Sequence, residues 1–171
     1  TGIDRGQFGT LISLFMGSCL VLSLVMGVVL DTIGYMPVAV IGFTLTSCSL
    51  FLLAFARSFP VVLGTCVLLG AGAMSLNATG NTLATVVLFD GQNPAAASNL
   101  ANVFFGAGIL LTPLTVSFLF RKLTYEQTLS TLGIIILLPV AAAVAAVYPK
   151  SNAAFAFSDA LGLLREPALW I

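Results

Sequence analysis

Every charged side chain in this sequence lies between or outside five long uncharged runs, and that segregation limits what the chain can fold into. The six basic residues are Arg5, Arg57, Arg121, Lys122, Lys150 and Arg165; the six acidic ones are Asp4, Asp31, Asp90, Glu126, Asp159 and Glu166. The runs between them cover 6–30, 32–56, 58–89, 91–120 and 127–149. About 20 apolar residues in a helix cross a hydrocarbon core roughly 30 Å thick. Each run is long enough. The implied fold class is all-α, a polytopic transmembrane helical bundle of five spans in a lipid bilayer.

Composition narrows the alternatives. With 59% hydrophobic and 7% charged residues, a soluble fold would have to bury helices that are apolar on every face, with little polar surface to cover them. A membrane β-barrel fails as well, because its strands alternate apolar and polar residues and these runs do not. Net charge is zero and there is no basic tract, which excludes a nucleic-acid partner of the usual kind. Histidine is absent, and with it the commonest metal ligand and general base. No metal site or cofactor is indicated. An intramembrane enzyme would need a nucleophile–base pair or an embedded carboxylate, and the runs hold neither. Cys19, Cys48 and Cys66 sit inside the runs at unrelated spacings and read as small packing residues.

Turn signals divide the runs into spans at about 8–30, 37–56, 60–88, 94–120 and 127–147. Pro37, Pro60 and Pro94 stand near helix starts, where a missing N–H would lack a partner anyway. Short connections make successive helices antiparallel neighbours. Residues 1–150 thus form the membrane region, and 151–171 read as a central loop and the start of a further span. The chain opens in a loop and closes on Ala168, Leu169, Trp170 and Ile171, so the expectation is a fragment of a longer protein.

Lipid offers no hydrogen bonds, so polar side chains within the spans must face other helices or water. The third span is the richest in them. Asn77, Asn81 and Thr85 recur every four residues and line one face, which Gly70 and Ala73 extend. A solute cavity is the preferred reading of Asn77 and Asn81, with interhelical hydrogen bonding as the alternative. The fourth span carries Asn99 and Asn102, for which a cavity, packing and loop anchoring remain equally open. Pro113 in mid-span predicts a kink, and Gly106 and Gly108 permit close packing. In the first span, Ser13 with Gly17 and Ser23 with Gly27 form small-xxx-small pairs and predict a helix–helix contact.

Three stretches resemble a known family. Gly27, Asp31 and Gly34 match, at the right spacing, the signature loop between the second and third helices of major facilitator superfamily transporters; Thr32, Tyr35 and Met36 replace its basic positions. The segment from Leu69 through Gly70, Gly72, Asn77 and Asn81 is similar to the fourth helix of the bacterial fucose-permease-like sugar branch. That from Ser98 through Asn99, Asn102, Gly106 and Gly108 to Pro113 is similar to its fifth.

The resemblance implies helices two to six of a twelve-helix carrier in the cell (inner) membrane, with the first helix and the C-terminal half of the same protein as partners. It implies transport of a small polar, sugar-like solute by alternating access, with Asn77, Asn81 and Thr85 at the solute and Gly27, Asp31 and Gly34 at a cytoplasmic gate. Proton-coupled sugar members often carry a carboxylate where Asn77 stands. The family also places the Asp31, Asp90 and Lys150 ends in the cytoplasm. Counting basic residues near the spans points the other way, because Arg5, Arg57, Arg121 and Lys122 lie at the opposite end. The alternative function is a non-transporting membrane scaffold or assembly subunit.

Overall fold

The computed structural model describes residues 3–149, so the expected central loop and further span at 151–171 lie outside the described residues. Five helices follow one another: α1 (Arg5–Ile33), α2 (Tyr35–Ala54), α3 (Phe59–Val87), α4 (Pro94–Lys122) and α5 (Tyr125–Ala145), with a short 3₁₀ turn at Leu88–Gly91. All five are long and apolar enough to cross a membrane. The fold is an all-α transmembrane bundle.

The helices begin earlier than hydropathy alone would place two of them, and the cause is capping. Asp4 Oδ1 accepts the Gln7 N–H at 2.7 Å while the Asp4 N–H donates to Gln7 Oε1. This reciprocal box satisfies two N–H groups that a helix start leaves without partners. It starts α1 at Arg5 and not near residue 8. Thr124 and Gln127 form the same box at the start of α5.

Between α1 and α2 the expected loop shrinks to one residue. Gly34 has φ 85° and ψ 170°, a region open almost solely to glycine. Its N–H closes on the Leu30 carbonyl at 2.9 Å, and α2 starts at the next residue. Asp31 therefore lies in the last turn of α1. Leu30 and Tyr35 flank the turn and are buried with Met26 and Val38. The connection from α3 to α4 is strained by comparison: Phe89, Asp90 and Gly91 all adopt positive φ, at a cost of about 1–3 kcal/mol for each residue other than glycine. Asn93 then caps α4 by accepting the Ala96 N–H.

In packing, α2 sits centrally against α3 and α5, and α1 lies mainly on α3. Small and hydroxylated side chains share the interior with a few large ones: the largest fully buried side chains are Val38, Thr128, Ser47, Ser49 and Ser75, and Met26, Leu30 and Tyr35 are buried beside Val38. Large apolar side chains such as Leu24 and Phe104 point outward. Large apolar side chains on the outside are the expected arrangement in lipid, where close backbone approach contributes much of the packing force.

The closest approach is between α2 and α3. A β-carbon at Gly72 would run into Thr46 Oγ1 and lie 2.7 Å from the Thr46 nitrogen. Gly42 is also close, with a β-carbon there lying 2.9 Å from the Leu76 side chain and 3.0 Å from Ser75 Cβ. On the other side of α2, Ser47 Oγ donates to the Gly133 carbonyl at 2.8 Å, joining α2 to α5.

The expectation for α1 needs correcting. Gly17 and Gly27 have open space around them, and Ser13 and Ser23 are exposed. The helix instead packs through Leu11, Phe15, Ser18, Cys19, Leu22, Met26 and Leu30, a stripe on the opposite side from Ser13 and Gly17. Small residues predict that a close contact is possible; they do not choose the face that meets a neighbour.

Candidate functional site

The polar residues of α3 separate onto two faces. Val62, Thr65, Gly70, Gly72, Ser75 and Thr79 are buried. Their hydroxyls are satisfied within the helix: Thr65 donates to the Val62 carbonyl, Ser75 to Ala71 and Thr79 to Ser75, all at 2.7–2.8 Å. A short hydroxyl can close on its own backbone, so burying it leaves no donor unpaired. Ser75 additionally rests 3.7 Å from Met26 Sδ on α1.

Asn77 and Asn81 occupy the other face and are exposed. They are bonded to each other: Asn81 Nδ2 donates to Asn77 Oδ1 at 2.6 Å. Thr85, one turn further, is half-buried, and its hydroxyl proton is committed to the Thr82 carbonyl at 2.8 Å. Thr85 can therefore only accept from a solute, whereas the asparagines retain both donors and acceptors. Gly70 does not extend this open stripe. A β-carbon there would lie 3.0 Å from Ser18 Cβ and 3.3 Å from the Phe15 carbonyl, so α1 covers that end of α3. The open segment begins at Asn77.

The signature residues lie at the junction of α1 and α2. Gly27 is exposed with nothing near it, Asp31 is half-buried in the last turn, and Gly34 makes the one-residue turn. Tyr148, from beyond the end of α5, packs against the Met26, Leu30, Tyr35 and Val38 cluster at this same end.

Helix α4 differs from the others. Only Ala97 is buried along its length. Asn99 and Asn102 are exposed and make no hydrogen bond to another described residue. Gly106 and Gly108 have open space around them. The helix runs unbroken through Pro113 from Pro94 to Lys122. An open groove of about 620 Å³ lies along it, lined by Phe104, Phe105, Gly108, Ile109, Thr112 and Pro113.

Several structural residues carry sequence signals of a different kind. Gly42 and Thr46 are a small-xxx-small pair on α2, and Asp4 with Gln7 and Thr124 with Gln127 have capping-box spacing. Pro139 lies inside α5 as Pro113 lies inside α4. The fully buried Thr128 is different: its Oγ1 has no hydrogen-bond partner among the described residues, and no spacing announces that. Among the described residues, Cys19, Cys48 and Cys66 are free thiols. Cys19 packs on Gly70, its thiol 3.9 Å from the carbonyl; Cys48 faces outward. No group of three His, Cys, Asp or Glu among the described residues is placed to hold a metal.

Five helices long and apolar enough to span a bilayer, with large apolar side chains exposed along them, define a multi-pass helical membrane protein. The Gly27, Asp31 and Gly34 turn and the polar α3 refine that class. The chain belongs to the major facilitator superfamily, a family of membrane transporters, whose profile matches residues 1–169. No curated protein and no solved structure matches it.

Proposed function

We propose that this chain contributes helices two to six of a secondary carrier of the fucose-permease-like branch, moving a small neutral polar solute, sugar-like in its hydroxyls, by alternating access. In this reading a first helix and a C-terminal half complete the protein, and the whole lies in the cell (inner) membrane with the Gly34 turn on the cytoplasmic side. Asn77, Asn81 and Thr85 face the solute route. Gly27, Asp31 and Gly34 belong to the gate that opens and closes as two helical halves rock about a midplane site.

One observation carries the proposal. Of the polar residues on α3, the hydroxyls on one face are closed on the backbone and buried, while the two amides are held together on a face that no described helix covers. An amide in a membrane helix needs either a protein partner or water, and after their mutual bond both asparagines still have unfilled donors and acceptors.

The test is uptake of labelled hexoses and polyols by cells expressing the complete protein, comparing Asn77→Ala and Asn81→Ala with the parent. Each substitution is expected to raise the apparent KM several-fold, the size of one or two lost hydrogen bonds. Unchanged KM in both variants, with normal protein levels, would overturn the assignment.

A further inference from the structure

Near its C-terminal end, α4 turns Val116 and Leu119, both half-buried, toward the bundle. Leu111, Leu114 and Phe118 lie on the other side of the helix and are 58%, 60% and 62% exposed. Spacings of three, four and seven residues place Arg121 and Lys122 on that same side. Two cations thus crown an apolar ladder that faces away from the described helices. At 1.5 Å per residue the ladder from Leu111 to Lys122 is about 16 Å long. That matches the hydrocarbon of one leaflet, half of a core roughly 30 Å thick.

The tip that carries the cations is held in place. The Leu123 N–H closes on the Leu119 carbonyl at 2.8 Å, and the Thr124–Gln127 box starts α5 at the next residues. Phe120 and Tyr125, both exposed, stack across the turn with ring centroids 6.2 Å apart. Arg121 and Lys122 are exposed, and neither forms an ion pair with a described residue. Glu126, the nearest acid in sequence, sits in the first turn of α5, where the helix dipole favours it. The dipole of α4 likewise favours a cation at its end, but it does not require an apolar ladder beneath. Charge is also lopsided across the bundle. Among the described residues, Arg5, Arg57, Arg121 and Lys122 lie at this end with Asp4 and Glu126, whereas the other end carries Asp31 and Asp90 alone.

We infer that this side of α4 is a binding surface for an anionic phospholipid, its phosphate held by Arg121 and Lys122 and one acyl chain lying along Leu111, Leu114 and Phe118. Both side chains donate charge-assisted bonds to phosphate oxygens, and each cation near an anionic lipid surface adds to the attraction. A zwitterionic headgroup brings its own cation and gains less. A soluble anion would leave the ladder uncovered, and a partner helix on the ladder would have to supply acids at the level of the two cations. The stacked rings of Phe120 and Tyr125 fit the headgroup zone, where aromatic side chains with a polar edge gather. This inference stands apart from the reading of α3 and does not depend on it.

The test uses the 171-residue chain in lipid nanodiscs, with its single tryptophan removed by Trp170→Phe and a new one placed on the ladder by Phe118→Trp or, in a second variant, Leu114→Trp. Quenching by dibrominated phosphatidylglycerol is compared with quenching by dibrominated phosphatidylcholine. Half-maximal quenching is expected at a roughly 5- to 30-fold lower mole fraction of the anionic lipid, the gain from one to two cations at an anionic surface. Arg121→Gln combined with Lys122→Gln should bring the two lipids to within about twofold of each other. Arg5→Gln combined with Arg57→Gln removes the same charge from the same end and should leave the preference intact. Equal quenching by the two lipids, or a preference lost to the same extent in both charge pairs, would overturn the inference. Cancellation of the preference by equimolar glycerol 3-phosphate would assign the cations to a free anion. Absence of quenching by either lipid at both positions would assign the face to a protein partner or a second copy; each of these results also overturns it.

Discussion

The two faces of α3 use similar residues in opposite ways. On the packed face, Gly72 lets α2 approach to van der Waals contact, and Ser75 and Thr79 hide their hydroxyls in their own helix. On the open face, Asn77 and Asn81 have amides that bond to each other and still point outward. The difference lies in the side-chain chemistry. A serine or threonine in a helix can satisfy its only proton on the carbonyl three or four residues back. An asparagine carries two donors and two acceptor sites and cannot satisfy them all this way. Within lipid, hydroxyls can serve as packing material, whereas amides demand an external partner.

Each of four substitutions should break or sharpen this contrast. The largest effect belongs to Gly72→Leu on the packed face, which forces a side chain into the Thr46 backbone; overpacking of this kind costs about 3 kcal/mol. Titration of the purified chain from mild detergent into SDS should show its unfolding midpoint falling steeply. Gly34→Ala acts on the turn that sets α1 beside α2. Forcing a β-carbon into φ 85° costs about 1–3 kcal/mol, and the same titration should register an intermediate loss. A smaller loss, about 0.6 kcal/mol, is expected from Ser47→Ala, which removes the bond to the Gly133 carbonyl. Asn81→Ala on the open face should shift the midpoint least, by no more than about 0.5 kcal/mol, yet it should impair solute handling most. A stability ranking that placed Asn81→Ala above Ser47→Ala would erase the distinction between the faces.

How much of this was legible in the sequence depends on whether a feature is local or relational. The membrane character follows from charge segregation, which no partner can alter. The polar stripe of α3 follows from four-residue spacing, and the exposure of Asn77 and Asn81 is consistent with it. Gly70 lies on that same stripe by spacing but is covered by Phe15, Ser18 and Cys19; only the path of α1 across α3 decides that. The small residues of α1 failed as a guide for the same reason, since Ser13 and Gly17 point away from the neighbour that α1 actually meets. The one-residue turn at Gly34 is an intermediate case. A glycine there is visible, but a loop of several residues and a single left-handed residue leave similar traces in a hydropathy pattern. The exposure of nearly all of α4 was not legible at all, because nothing in its composition separates it from its packed neighbours.

The most direct test of the central claim compares thiol access on the two faces at nearly the same depth. In a background with Cys19, Cys48 and Cys66 replaced by alanine, single cysteines at Asn81→Cys and Thr79→Cys would be challenged with a charged, water-soluble methanethiosulfonate in the complete protein in native membranes. The account predicts rapid labelling at position 81 and none at position 79 until the protein is denatured. Protection at 81 with reaction at 79, or equal protection at both, would contradict it and favour a dry bundle that scaffolds other proteins.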